Sequence, residues 1–115
     1  MKVVLDSNVI IYAVRFGVDL GALKPAFVPE SVRRELEMLS RKGGRTGTAA
    51  RVALRICERL PGLPSPTGKA DDDLVHYALE GYAVATQDSE LRKRIEGLGG
   101  KVIYLRQNKY FEGIE

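Results

Sequence analysis

At 115 residues and 12.7 kDa the chain has room for one compact domain spanning residues 1–115, and no second folded unit is expected. A hydrophobic fraction of 44% beside 29% charged residues argues against a disordered chain, and no apolar run approaches the roughly 18–20 residues of a membrane span. A single cysteine, Cys57, and a single histidine, His76, exclude an internal disulfide, a thiolate zinc cluster and most histidine-based hydrolytic chemistry, while the net charge of +3 is compatible with a polyanionic partner.

Met1-Lys2 leads straight into the apolar run Val3-Val4-Leu5 with no leader layout, so a cytoplasmic protein is expected. That run predicts a buried strand stopping at the capping residues Asp6-Ser7-Asn8, followed by a buried helix through Val9–Val14. Residues 15–28 lack a period and read as loop, with a short strand at Ala26-Phe27-Val28. Pro29 and Glu30-Ser31 open a helix to about Ser40, whose Val32, Leu36 and Leu39 fall on one stripe.

Gly43 to Thr48 breaks the pattern, after which Ala49, Val52, Ala53, Ile56 and Leu60 form one helical face. The prolines of 60–66 make that stretch a connector, with at most an edge strand. Ala70-Asp71-Asp72-Asp73 starts a helix with Leu74, Val75, Ala78 and Leu79 as its apolar stripe; a strand at Tyr82–Thr86, a helix from Asp88-Ser89 to Leu98 and a strand at Lys101–Leu105 complete the order. Alternating strands and helices predict an α/β domain with a mostly parallel sheet.

Four acids stand at the ends of these elements. Parallel strands place Asp6 and Asp88 at the carboxyl edge of the sheet, where such sheets bind ligands. Helical projection turns Asp71 inward with Asp72 and Asp73 outward, and lets Glu35 reach inward where Glu37 cannot. Each acid alone is better explained as a cap or an ion-pair partner. Jointly, convergent carboxylates repel one another unless a cation neutralises them, and an all-oxygen set suits Mg²⁺ or Mn²⁺. Such an ion beside basic surface points to phosphodiester hydrolysis. Ser7, Asn8 and Thr86 can add neutral oxygen contacts.

Asp6-Ser7-Asn8 after the first strand, the helical Glu35, Ala70-Asp71-Asp72 and Ala85-Thr86-Gln87-Asp88 together resemble the PIN-domain ribonucleases across nearly the whole chain. Gly43-Gly44-Arg45, Leu91-Arg92-Lys93-Arg94 and Val102 to Gln107 bring the resemblance closest to small archaeal-type proteins grouped with VapC toxins and akin to rRNA-processing endonucleases. The resemblance implies a three-layer α/β/α fold, an RNA substrate, and Mg²⁺ or Mn²⁺ held by Asp6, Glu35, Asp71 and Asp88, with Asp72 as an alternate or outer-sphere ligand. It also implies a homodimer and either an antitoxin peptide in the acidic crevice or a ribosome-assembly partner. Departures are the short stretch between Val14 and Pro29, the proline-rich segment where the family has a strand, and the extra acid Asp73.

Arg41, Lys42 and Arg45, with Arg51, Arg55 and Arg59, make one basic set; Arg92, Lys93, Arg94, Arg106 and Lys109 make a second. Each can track RNA phosphates or be a solvated face. Gly43 to Thr48 lacks the Gly-Lys-Ser/Thr ending of a P-loop. His76 is expected to be solvated, Cys57 to be a small core residue, and Tyr104, Tyr110 and Phe111 to serve the core or an interface rather than base stacking. The reading is a Mg²⁺-dependent endoribonuclease, with a toxin of a type II toxin–antitoxin pair ahead of an rRNA-maturation nuclease and a non-catalytic binding module.

Overall fold

The computed structural model describes residues 1–106 and 110–113. Gln107 and Lys109, named above, lie outside the described residues. Strands β1 (Val3–Leu5), β2 (Ala26–Pro29), β3 (Gly62–Leu63), β4 (Ala83–Ala85), β5 (Val102–Arg106) and β6 (Tyr110–Glu112) form one sheet in the order β3-β2-β1-β4-β5-β6. All neighbours pair in parallel except β5 and β6, which are antiparallel.

Helices α1 (Ser7–Phe16), α2 (Glu30–Ser40), α3 (Gly44–Cys57), α4 (Ala70–Leu79) and α5 (Ser89–Gly97) supply the crossovers, with a 3₁₀ turn at Leu20–Ala22. From β1 the chain moves outward one way through β2 and β3, then returns to β4 and moves the other way through β5. Right-handed crossovers therefore place α1, α2 and α3 on one face and α4 and α5 on the other. The strand order switches direction between β1 and β4, and helices leaving those two strands diverge to open a crevice at their carboxyl ends.

The core is the fully buried β1 and β4 (Val3, Val4, Leu5, Ala83, Val84, Ala85) with Val9, Ile10, Val32, Leu36, Leu74, Ile95 and Ile103 packed against them. Cys57 belongs to it, and burial pushes its thiol up to about 11. Buried on both faces, the parallel strands read as continuous apolar runs.

Several expectations need correction. The glycines of 43–48 do not break structure: α3 starts at Gly44, and a Cβ at Gly47 would collide with the Lys42 carbonyl, so this glycine permits a close approach of α3 to the preceding turn. The buried face of α3 runs through Ala49, Ala50, Ala53 and Cys57, leaving Val52 at 43% exposure, because small residues let α3 lie close against its neighbours. Arg51 leaves the basic stripe to cap α2, its Nη1 donating to Ser40 O at 2.8 Å. In α4, Leu74, Val75 and Ala78 are buried as expected, but Leu79 is exposed and the inward face also carries Asp73 and Tyr77. Strand β6 was not anticipated; Phe111 packs on the core while Tyr110 is exposed.

Candidate active site

The β1–β4 register pairs Leu5 with Ala85, so the next residues on each strand, Asp6 and Thr86, meet at the crevice. Both are buried. Asp6 caps α1, its Oδ1 accepting from Ser7 N at 2.7 Å, while its Oδ2 accepts from Thr86 Oγ1 at 2.7 Å. The same Thr86 oxygen accepts from Asp88 N at 3.1 Å, and Asp88 in turn caps α5 through Glu90 N at 2.9 Å and Leu91 N at 3.3 Å. Two of the predicted acids are thus helix caps as well as crevice residues, joined through one hydroxyl.

The loop carrying Asp88 is pinned from both sides. Asn8 Oδ1 accepts from Gln87 N at 3.0 Å. The Gln87 amide grips the β5 backbone, Nε2 donating to Leu105 O at 3.1 Å and Oε1 accepting from Leu105 N. No sequence signal marks Gln87, because its role depends on where β5 lands.

Glu35 approaches from α2, half-buried, and its Oε1 accepts from Ser7 Oγ. Asp71 stands in the first turn of α4 and reaches solvent. Asp6 and Asp71 respond to the acids around them. Burial raises Asp6 to about 6, with Glu35 and Asp71 adding to the rise and the hydrogen bonds from Thr86 and Ser7 opposing it. Asp71 is raised by partial desolvation and by the charges of Asp88 and Glu35, against the pull of Arg94. Asp72 turns away to pair with Arg94 at 2.9 Å.

Asp73 corrects the helical projection most sharply. Expected to face outward, it is fully buried. Its Oδ2 accepts from Ser31 Oγ and Ser65 Oγ, and its Oδ1 from Thr67 N at 2.8 Å and Thr67 Oγ1 at 2.7 Å. Burial alone would raise its carboxyl, but these donors overcome that and hold it below the ordinary range. The donors come from two other segments of chain, which is why α4 alone could not reveal it.

Among the described residues no three His, Cys, Asp or Glu side chains stand together closely enough to cage an ion. The donor set still fits a hard divalent cation that keeps several waters and needs only one or two direct carboxylates. Asp6 carries the strongest physical argument: a buried carboxylate with two donors and two like-charged neighbours has no counter-charge among the described residues. Softer ions find no partner here, since His76 pairs with Glu80 at 3.2 Å and Cys57 is in the core.

Of the basic residues, Arg41, Lys42 and Arg45 are exposed at the turn between α2 and α3. Arg92 lies 4.2 Å over the half-buried Tyr104 ring and pairs with Glu96 at 3.4 Å; Arg106 pairs with Glu112 at 3.8 Å.

A mostly parallel α/β sheet with carboxylates gathered at its switch point defines a domain organised around an acidic crevice. The chain belongs to the PIN-like domain family, whose model matches residues 3–108. It is similar to Ribonuclease VapC4 of Methanocaldococcus jannaschii, 28% identical over 96% of this chain and 95% of that protein. It is likewise similar to Ribonuclease VapC9 of Archaeoglobus fulgidus, 31% identical over 92% of this chain and 84% of that protein. Among solved structures it resembles the PIN domain endonuclease Utp24, with a TM-score of 0.76, 29% identity, and 98% and 92% of the two chains covered. A domain of a functionally unknown protein from Methanocaldococcus jannaschii shares the fold at a TM-score of 0.66 and 20% identity, over 99% of this chain and 96% of that one.

Proposed function

We propose that the protein is a divalent-metal-dependent endoribonuclease acting in the cytoplasm as the toxin of a type II toxin–antitoxin pair. The observation that carries this reading is geometric: the buried Asp6 and, through the shared Thr86 hydroxyl, Asp88 stand together at the switch point of the sheet, and Asp6 is raised by burial first and then by the charges of Glu35 and Asp71. The relatives bearing the name ribonuclease cover nearly the whole chain, which supports RNA as the substrate.

Asp6, Glu35, Asp71 and Asp88 would hold Mg²⁺ or Mn²⁺, which when bound supplies an acidified water and offsets charge on the scissile phosphate. The chain's own groups then divide the work. Thr86 keeps the Asp6 carboxylate oriented while receiving Asp88 N, so the two acids hold a fixed relation. Ser7 steers Glu35, and Asn8 holds the Gln87 backbone, without contributing charge. Arg41, Lys42, Arg45, Arg92 and Arg106 would meet backbone phosphates, and their contribution should fall with salt.

The test is cleavage of a labelled RNA by wild type, Asp6→Asn and Asp88→Asn in Mg²⁺, Mn²⁺ or EDTA. Metal-dependent cutting lost in both variants is expected; equal cutting in all three proteins with EDTA present would overturn the reading. For the biological role, induced expression should arrest growth, with relief by Asp6→Asn or by a co-expressed antitoxin. A second reading, rRNA maturation with a ribosome-assembly partner, rests on the resemblance of the sequence motifs to rRNA-processing PIN endonucleases, and the likeness to the endonuclease Utp24 is compatible with it. Absence of growth arrest together with defined cuts in pre-rRNA would select it.

A further inference from the structure

The buried acid Asp73 is absent from the chemistry proposed above, yet it is among the most fully hydrogen-bonded side chains described in the molecule. Four donors converge on it: Ser31 from α2, and Ser65 and two groups of Thr67 from the connector ahead of α4. The same connector is tied again to α4 where Tyr77 Oη donates to Pro64 O at 2.6 Å. Three of the four donors to Asp73 therefore act between α4 and its own leading loop. Ser31 crosses directly to α2, whereas Ser65 meets that helix only at its exposed rim, where Arg34 Nη2 donates to the Ser65 hydroxyl at 3.4 Å.

The crossing bond has a specific position. Ser31 precedes Glu35 by four residues, so the two side chains share a face of α2 one turn apart. Asp73 follows Asp71 by two residues in the first turn of α4. The bond thus joins the two helices that present Glu35 and Asp71 to the crevice, within a turn of each acid. These two acids repel, and a buried bond close to both is placed to resist that repulsion.

We propose that the Ser31–Asp73 hydrogen bond is a positioning clamp that sets α2 against α4 and thereby the spacing of Glu35 and Asp71. Asp73 and Ser31 are positioning residues, not metal ligands or catalytic residues. The Ser65 and Thr67 bonds complete the solvation of the buried carboxylate, while Ser31 supplies the buried link to α2; the contact of Ser65 with Arg34 is long and exposed. Only the ion-affinity part of the test below rests on the metal-dependent reading.

The test measures the α2–α4 distance by pulsed electron spin resonance, with spin labels at Met38→Cys on α2 and Leu79→Cys on α4. Both sites are exposed, at 66% and 63%, and the core thiol Cys57 is out of reach of the reagent. Ser31→Ala removes one oxygen and is expected to broaden or shift the distance distribution, whereas Ser65→Ala is expected to leave it as in wild type. Asp73→Asn keeps the volume but turns an amide toward both serines, and should reproduce the Ser31→Ala shift. In parallel, Mn²⁺ uptake by calorimetry should weaken about tenfold in Ser31→Ala, the loss common for groups that orient ligands, and less than about twofold in Ser65→Ala. A merely stabilising bond would lower the melting temperature in both serine variants and leave the distance of the folded protein unchanged; that result would overturn the clamp. Should wild type take up no Mn²⁺, the metal reading fails, while the distance measurement still decides the clamp.

Discussion

Replacing Asp6 by Asn should make the metal-free protein more stable, although the same change removes a group placed at the centre of the crevice. Asp6 is 4% exposed, and its carboxyl is raised from 3.8 to about 6 by burial and by Glu35 and Asp71. Each unit of such a difference is about 1.4 kcal/mol, so the ionised group costs the fold about 3 kcal/mol at neutral pH. Because the folded state holds the proton more tightly, stability falls as pH rises from about 4 to about 6 and is flat above. Asn retains an oxygen for Ser7 N and is as good a cap as Asp, and Thr86 can turn its hydroxyl toward Asn8 Oδ1, 3.5 Å away. In EDTA at pH 7 the variant is therefore expected to gain up to about 3 kcal/mol, or about 10 °C in melting temperature for a domain of this size. The gain should shrink to below about 1 kcal/mol near pH 4, where Asp6 is neutral in the fold and about half ionised in the unfolded chain. Denaturant unfolding of both proteins across pH 4–8 measures it, and the difference cancels every other titrating group that behaves alike in the two. A variant less stable than wild type at pH 7, or a difference independent of pH, would refute the reasoning.

Adding Mg²⁺ or Mn²⁺ should reverse that order: at a concentration a hundredfold above the dissociation constant wild type gains about 2.7 kcal/mol, and Asp6→Asn far less, as thermal melts with and without the ion will show. Thr86→Val strips Asp6 Oδ2 of its donor and Asp88 N of its acceptor; it should cost about 1–3 kcal/mol of stability and reduce RNA cleavage at least tenfold. Gly47→Ala drives a methyl into the Lys42 carbonyl whereas Gly43→Ala meets open space, so chemical denaturation should find the first destabilised by more than about 1 kcal/mol and the second near wild type. Charge reversal at Arg41, Lys42 and Arg45 should weaken RNA binding and flatten its salt dependence while leaving the melting temperature unchanged, because these side chains are exposed.

The strand and helix order was legible because each central element announces itself through burial. Val3-Val4-Leu5 and Ala83-Val84-Ala85 are apolar without a break since both faces of the sheet are covered, and Asp6 and Asp88 mark helix starts through the capping chemistry they perform. Strand β6 escaped because Tyr110–Glu112 is an edge pairing held by β5 rather than by its own pattern. The α3 start was misread because glycine at 43, 44 and 47 serves a left-handed backbone at Gly44 and a close approach at Gly47, and composition does not separate those uses from a loop. On α2, Val32 and Leu36 of the expected stripe are buried and Leu39 is only partly so, and Glu35 beside them reaches the Ser7 hydroxyl.

Asp6 and Asp73 show why one buried acid was legible from the strand it ends while helical projection turned the other the wrong way. Both are aspartates with almost no exposed surface, and burial raises both. Asp6 has two donors, Ser7 N and Thr86 Oγ1, and two carboxylates nearby. Asp73 has four donors, and its shift carries no contribution from a neighbouring carboxylate. The first is left with unanswered charge, which suits a group meant to meet a cation; the second is fully answered by the protein, which suits a group meant to hold segments together. Helical periodicity counts apolar neighbours along one element and is blind to donors arriving from Ser31 and the 65–67 connector. The three consecutive acids of α4 thus split three ways by partner: Asp71 to the crevice, Asp72 to Arg94, and Asp73 to the hydroxyls beneath it. What separates a functional acid from a structural one here is the number of protein donors each has collected, and that number is set by tertiary contacts that only the fold brings together.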